Sequence, residues 1–123
     1  MVRGSVVWVA LDPTQGAEVP KTRPCVIVSR GIANEISQTI TVVPLSSLRG
    51  RPQERLVQPL VPARESHLSK DSRALCDQIR TIDKGRIRRI VTLLGAEPMQ
   101  KIDRGLVLHL NLEESVRTGP EQA

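Results

Sequence analysis

The feature that most constrains this fold is a series of short, β-branched apolar runs separated by proline, glycine and charge. The first, residues 5–11, reads Ser-Val-Val-Trp-Val-Ala-Leu and stops at the turn signal Asp12-Pro13. Further runs lie at residues 25–29, 39–45, 73–82 and 86–94, with a shorter edge strand at 55–60. The chain of 123 residues is long enough for one core. Because closing short strands into a barrel removes sheet edges, we predict a mainly β fold with helix, built as a small β-barrel.

The C-terminal part of the chain changes to helical spacing. Pro98 follows Glu97, and proline is tolerated in the first turn of a helix. Four apolar residues then recur with a 3.6-residue period: Met99, Ile102, Leu106 and Leu110. We predict a helix here, a single domain over residues 1–112 and a polar tail over residues 113–123. Between the strands, residues 30–38 indicate a helical turn or a loop, and residues 48–72 a mostly irregular segment.

The charge balance favours an anionic partner. A net charge of +5 and a pI near 10.0 indicate nucleic acid first. No segment approaches the roughly 20 apolar residues of a membrane span, and the N-terminus lacks a signal-peptide layout, so we expect a cytoplasmic protein without membrane contact. Trp8 is the single aromatic residue of the chain, which argues against nucleic-acid binding on a stacking platform.

The cysteines and histidines do not form a metal-binding pattern. Cys25 and Cys76 each lie in an apolar context, and His67 and His109 lie in unrelated ones. We predict two buried thiols in preference to a disulfide or a metal site, and no cofactor.

Arg23 precedes an apolar run and is followed by Pro24. The proline fixes its own φ near −65° and favours an extended Arg23, which suits the start of a strand. An arginine held in this way is a good phosphate ligand, since its planar fork donates two parallel bonds. The alternative is an arginine in a surface salt bridge.

Other polar residues adjoin the predicted strands. Ser46 and Ser47 follow the third run, and the pair Asp77-Gln78 interrupts the fourth, where it either contacts a substrate or forms a buried network that pins a loop. Arginines in the segment 48–72 either bind RNA phosphates or are simply solvated.

Five stretches together resemble the MazF/PemK-type toxins, the ribonuclease half of bacterial toxin–antitoxin pairs. They are Arg3-Gly4, residues 7–18 (Val-Trp-Val-Ala-Leu-Asp-Pro-Thr-Gln-Gly-Ala-Glu), Arg23-Pro24 before Val-Ile-Val-Ser, residues 43–47 (Val-Pro-Leu-Ser-Ser) and residues 77–83 (Asp-Gln-Ile-Arg-Thr-Ile-Asp). Their order and spacing match the family from residue 3 to about residue 112. The resemblance implies an SH3-like barrel with helices, a homodimer, metal-independent cleavage of single-stranded RNA, and inhibition by an antitoxin.

The resemblance also assigns the catalytic residues. The family's catalytic arginine falls on Arg23 and its catalytic threonine on Ser46, where serine keeps the hydroxyl but loses the methyl group that restricts χ1. Ser5 also departs from the family, many members of which carry an acidic residue there. The RNA-binding residues that we predict beside this pair are Thr14, Gln15, Thr22, Ser47 and Gln78.

The chemistry that this pair could support is attack by the 2′-OH of the RNA on its own phosphate. Arg23 would stabilise the charge on the pentavalent phosphorus and Ser46 would donate a hydrogen bond. Arginine is a poor base, and the motifs assign no residue to the 2′-OH proton. Two alternatives stay open: a non-catalytic toxin of the same fold that binds a protein such as DNA gyrase, and a basic nucleic-acid-binding barrel without chemistry.

Overall fold

The computed structural model describes residues 1–11, 16–17, 22–49 and 55–113. Seven strands run through this part of the chain: β1 (Ser5–Ala10), β2 (Thr22–Ile27), β3 (Thr39–Ser47), β4 (Leu60–Val61), β5 (Ser72–Ala74), β6 (Arg80–Asp83) and β7 (Ile87–Leu93). The α-helices are α1 (Gly31–Ile36), α2 (Ala63–Ser66) and α3 (Ala96–His109), and two 3-10 helices cover Cys76–Gln78 and Lys84–Arg86.

The strands form one antiparallel sheet in the order β4-β5-β3-β2-β1-β7. Strand β3, nine residues long, organises it. One edge of β3 pairs with β2, and the other edge pairs first with β6 and then with β5. The sheet does not close into a ring, but the barrel-like arrangement with a C-terminal helix confirms the predicted fold class.

Two apolar clusters cover the two faces of the sheet. Val6, Val43 and Leu45 pack with residues of α3 such as Ile102, on what we call the helix face. Their strand neighbours pack on the opposite side, which we call the inner face: Val7, Val9, Cys25, Ile27, Ile40, Val42 and Ile82. Successive side chains of a strand point to opposite faces, so each residue of β2 and β3 can be assigned to one face from this alternation.

The predicted strand over residues 73–82 is wrong. The 3-10 helix Cys76–Gln78 divides it into β5 and β6, which pair with different parts of β3. The polar pair inside the run marks the interruption. Asp77 accepts a hydrogen bond from the Gln58 side chain at 3.0 Å, and this contact joins the interruption to the segment before β4.

Both prolines at predicted strand ends lie inside strands. Strand β2 begins at Thr22, before Pro24, and β3 runs through Pro44 to include Ser46 and Ser47. Pro44 is buried, and its carbonyl accepts a hydrogen bond from the Leu75 backbone N–H at 2.8 Å. The missing donor of each proline is tolerated because neighbouring residues continue the ladders.

The helices agree with the predictions in part, and the two cysteines agree with them fully. Helix α1 confirms the expected helical turn, whereas α2 was not predicted because four residues show no periodicity. Leu110 directly follows α3 and is 47% exposed, so the predicted apolar stripe ends one turn earlier. Cys25 and Cys76 are free and buried, as predicted. Residues 114–123, most of the predicted tail, and residues 50–54 of the irregular segment lie outside the described part.

Candidate functional site

Arg23, Ser46 and Arg73 lie in one row across three strands. Ser46 of β3 is the register partner of Arg73 of β5. On the other edge of β3, Cys25 of β2 pairs with Pro44. Arg23 and Ser46 each lie two residues beyond this last β2–β3 pair, so alternation turns their side chains to the face that Cys25 and Pro44 share. Paired residues of antiparallel strands point to the same face, so the three side chains form what we call the Arg23–Ser46–Arg73 row.

The row lies on the inner face, beyond the end of its apolar cluster. Arg23 is the register partner of Val9, a buried member of that cluster. Arg23, Ser46 and Arg73 are each only half-buried, whereas Val9 is fully buried. The inner face therefore changes from an apolar core to a polar surface with two cations and a hydroxyl between them.

Arg23 forms neither a salt bridge nor a side-chain hydrogen bond with any residue in the described part of the chain. Its charge is nevertheless felt by a neighbour: burial raises the pKa of the Cys25 thiol to about 12, while Arg80 and Arg23 act in the opposite direction. A cation held at a strand start and not neutralised by a described carboxylate is suited to an anionic ligand. Among the described residues, no ion pair supports the alternative interpretation of Arg23 as part of a surface salt bridge.

Two further arginines hold the end of β1 near this row. Arg80 donates to the carbonyl of Leu11 at 3.5 Å, and Arg86 donates to that of Ala10 at 3.0 Å. These bonds attach β6 and the 3-10 helix after it to the point where the chain leaves β1. The base of the loop between β1 and β2 is thereby positioned.

Thr22 and Ser47 point to the other face. Each is the strand neighbour of a residue in the row, so alternation turns their side chains toward the helix face. There they border a cavity of about 380 Å3, which Arg23 also lines, together with Trp8, Leu68, Lys70 and Ser72. Trp8 Nε1 is buried and has no hydrogen-bond partner among the described residues. The cavity thus combines one aromatic ring with hydroxyls and a lysine.

The remaining predicted site residues do not join either group. Gln78 is half-buried in the 3-10 helix that follows β5. Thr14 and Gln15 lie outside the described residues. Strand alternation therefore puts Arg23 and Ser46 on one face, and the structure also brings Arg23 together with Thr22 and Ser47 at the cavity.

Sequence reasoning missed Arg73, because its position depends on the pairing of two strands that are distant along the chain. It also missed Lys70 and Ser72 of the cavity, which belong to a segment predicted to be irregular. The only signal in the sequence was the excess of arginine itself. Only the register of β3 and β5 shows that Arg73 is paired with Ser46.

The row can bind a phosphate and donate hydrogen bonds to it. Two guanidinium groups supply positive charge, and a hydroxyl between them supplies a short-range donor. No group of three or more His, Cys, Asp or Glu side chains that could hold a metal ion occurs within the described ranges. In the same ranges, no helix is long and apolar enough to cross a membrane.

Solved structures share this fold. MazF from Deinococcus radiodurans superposes with a TM-score of 0.75 at 22% identity, over 90% of this chain and 96% of that one. An endoribonuclease from a mycobacterial species, in complex with its cognate antitoxin, superposes with a TM-score of 0.73 at 20% identity, over 91% and 96% of the two chains. At these identities the likeness establishes the fold.

Sequence comparison establishes the family. The chain is 33% identical to the endoribonuclease MazF of Staphylococcus saprophyticus over 114 residues, which cover 91% of this chain and 92% of that protein. The family model of the PemK-like, MazF-like toxins matches residues 2–110. With nearly the whole chain matched in both comparisons, and with the barrel-like fold already established, this protein belongs to the family of PemK-like, MazF-like toxins of type II toxin–antitoxin systems.

Proposed function

We propose that this chain is a toxin that cleaves single-stranded RNA, mRNA above all, at short sequences and without a metal ion, and so inhibits translation and growth. The observation that carries the proposal is the position of Arg23 beside Ser46 on adjacent strands of one face. The name of the staphylococcal relative, an endoribonuclease, supports the same activity.

Arg23 and Ser46 have separate roles in the proposed reaction. The RNA 2′-OH attacks the adjacent phosphorus, and the bond to the 5′-oxygen of the next nucleotide breaks, which leaves a 2′,3′-cyclic phosphate and a 5′-OH end. Arg23 stabilises the negative charge that grows on the non-bridging oxygens. The Ser46 hydroxyl donates a hydrogen bond to one of them and orients the phosphate for in-line attack.

The proposed RNA contacts extend from this pair. Thr22 and Ser47 border the cavity on the helix face, where Lys70 adds a positive charge, and bases or sugars that pass the sheet edge can reach them. Gln78 and the loop residues Thr14 and Gln15 complete the set that we propose to bind RNA. The surplus of basic residues attracts the polyanion over a longer range.

The proposed partners are a cognate antitoxin and a second copy of this chain. The mycobacterial relative is an endoribonuclease in complex with its antitoxin, and an antitoxin segment that covers the Arg23–Ser46–Arg73 row would exclude RNA. Large apolar side chains such as Ile90 and Leu93 are 59% and 58% exposed on β7, an outer strand of the sheet, which favours a homodimer. The domain over residues 1–112 acts in the cytoplasm, where its RNA substrate lies.

A single incubation tests the activity. Purified protein is mixed with a long single-stranded RNA in EDTA, and the products are analysed for their ends. Discrete fragments with 2′,3′-cyclic phosphate and 5′-OH termini support the proposal. Intact RNA that is nevertheless bound would indicate a nucleic-acid-binding barrel, and intact, unbound RNA would favour a toxin directed at a protein.

A further inference from the structure

We propose that Arg73 is a second phosphate-binding arginine, which holds the RNA backbone at a phosphate next to the scissile one. This inference rests on the proposed function and adds to it the path of the RNA. The RNA would cross the sheet from β2 over Ser46 to β5 and β4, and its backbone would run at right angles to the β-strands.

The spacing of the row suits two different phosphates. Strands β2 and β5 flank β3 on opposite edges, and neighbouring strands lie about 4.8 Å apart. Two strands that flank a third are therefore about 10 Å apart, and Arg23 lies on β2 two residues beyond its last pair with β3, whereas Arg73 is paired with Ser46 directly. Two arginines on either side of one hydroxyl can follow an extended phosphate backbone.

The Arg73 side chain is directed away from Ser46. Its Nη1 donates to the backbone carbonyl of Gln58 at 3.3 Å. Gln58 comes two residues before Leu60, the residue of β4 that pairs with Arg73. The guanidinium thus leans toward β4, away from the hydroxyl where the reaction would take place.

The carbonyl that holds Arg73 is itself fixed. The Gln58 backbone N–H donates to the carbonyl of Arg55 at 3.1 Å, and its side-chain amide donates to Asp77 at 3.0 Å. Because the bond to Gln58 uses one of the five N–H donors of the guanidinium, the side chain is oriented and still has donors for a phosphate. Pre-orientation of this kind reduces the entropy lost on binding.

A contact to a neighbouring phosphate has a specific kinetic signature. It is made equally in the ground state and the transition state, so its loss raises KM and leaves kcat nearly unchanged. Arg23, at the scissile phosphate, should show the opposite pattern. The two arginines of the row therefore differ in a measurable way.

The test compares Arg73→Gln with wild-type protein and with Arg104→Gln as a charge-matched control. Arg104 is exposed on α3, which packs on the helix face, opposite the row. Binding of a short mixed-sequence 2′-O-methyl oligoribonucleotide, which lacks the nucleophile, is measured by anisotropy at several salt concentrations. Cleavage of a long single-stranded RNA gives kcat and KM.

Arg73→Gln should weaken binding by about tenfold, the scale of one charge-assisted hydrogen bond. It should reduce the slope of log affinity against log salt by about 0.7, the value for one phosphate on a single strand. KM should rise by a similar factor with kcat almost unchanged. Arg73→Lys, which keeps the charge, should restore most of the salt slope.

Several results would overturn the inference. If Arg73→Gln has the same salt slope and the same KM as Arg104→Gln, Arg73 does not lie on the RNA path. The same conclusion follows if Arg73→Gln lowers kcat alone. A lower melting temperature in both Arg73 variants with an unchanged salt slope would show that Arg73 only braces the Gln58 turn. Wild-type protein that binds but does not cut RNA would contradict the proposed function alone, and the salt slopes would still decide the role of Arg73.

Discussion

Gly105 of α3 lies directly against Cys76, at the start of the 3-10 helix that interrupts the β5–β6 segment. A Cβ atom on Gly105 would lie 2.8 Å from Cys76 Sγ and 3.0 Å from the carbonyl oxygen of Leu56. Glycine thus permits α3 to approach the segment that carries Asp77, whose carboxylate holds Gln58. The contact between Gly105 and Cys76 therefore positions the segment behind Gln58 and does not touch Arg23, Ser46 or Arg73 directly.

Gly105→Ala should therefore destabilise the protein. Overpacking costs about 1–3 kcal/mol, against a gain of about 1 kcal/mol in helix propensity. The Leu56 carbonyl belongs to the backbone and cannot rotate away, so we expect a net loss in a denaturant titration. Gly31→Ala is the control, since nothing lies within 4 Å of a Cβ at Gly31; it should be neutral or slightly stabilising. Equal stability of wild type and Gly105→Ala would show that Cys76 and Leu56 can move enough to accommodate a methyl group.

The two thiols should be inert in the folded protein. Burial raises the pKa of Cys25 to about 12 and, together with the nearby carboxylates Asp77 and Asp103, that of Cys76 to about 12 as well. Both pKa values exceed the ordinary value of 9.0, so the folded protein favours the protonated thiols, and this contribution to stability is lost as the pH rises from 9 toward 12. Alkylation at pH 8 should be slow in buffer and complete in guanidinium chloride, as mass spectrometry would show. Rapid alkylation of Cys25 in buffer would contradict its burial.

The protein should be a homodimer in solution. Exposed apolar side chains on β7 and at the end of α3 would otherwise be left in water at about 25 cal/mol for each Å2. Light scattering at micromolar concentration should give twice the chain mass of 13.6 kDa. A mass of one chain over the whole concentration range would rule the dimer out.

The sequence predicted the parts of this fold that local chemistry determines. β-Branched runs located β1, β3 and β7. The Arg-Pro and Leu-Ser-Ser motifs led to Arg23 and Ser46 as predicted catalytic residues, and their roles stay a prediction. Register is a non-local property, so neither the pairing of Arg73 with Ser46 nor the cavity that Arg23 shares with Thr22 and Ser47 could be read from the chain. Strands β4 and β5 have only two and three residues, too few for periodicity to reveal.

Ser46 should contribute to cleavage more than to binding. If its hydroxyl bonds the phosphate mainly in the transition state, Ser46→Ala should slow cleavage by about 10- to 1,000-fold with little change in RNA affinity. Ser46→Thr keeps the hydroxyl and should remain active. Ser47→Ala is the comparison variant: Ser47 alternates to the cavity and is one of the proposed RNA contacts, so its loss should weaken RNA binding more than it slows cleavage. If Ser47→Ala abolishes cleavage and Ser46→Ala does not, the assignment of the hydroxyl is reversed.

The central claim is that Arg23 holds the scissile phosphate by its planar fork. Arg23→Ala removes the cation, and Arg23→Lys keeps the charge but not the fork. Both variants should fold like the wild type, since the side chain is half-buried and unpaired among the described residues. Circular dichroism melting checks this, and Arg88→Ala and Arg104→Ala serve as charge controls.

The direct measurement is the cleavage rate of one single-stranded RNA by these variants at equal dimer concentration. We predict that Arg23→Ala loses nearly all activity, that Arg23→Lys recovers little of it, and that both charge controls stay near the wild-type rate. A lysine variant almost as fast as wild type would reduce Arg23 to a general electrostatic role. Cleavage by Arg23→Ala at the wild-type rate would contradict the proposed active site.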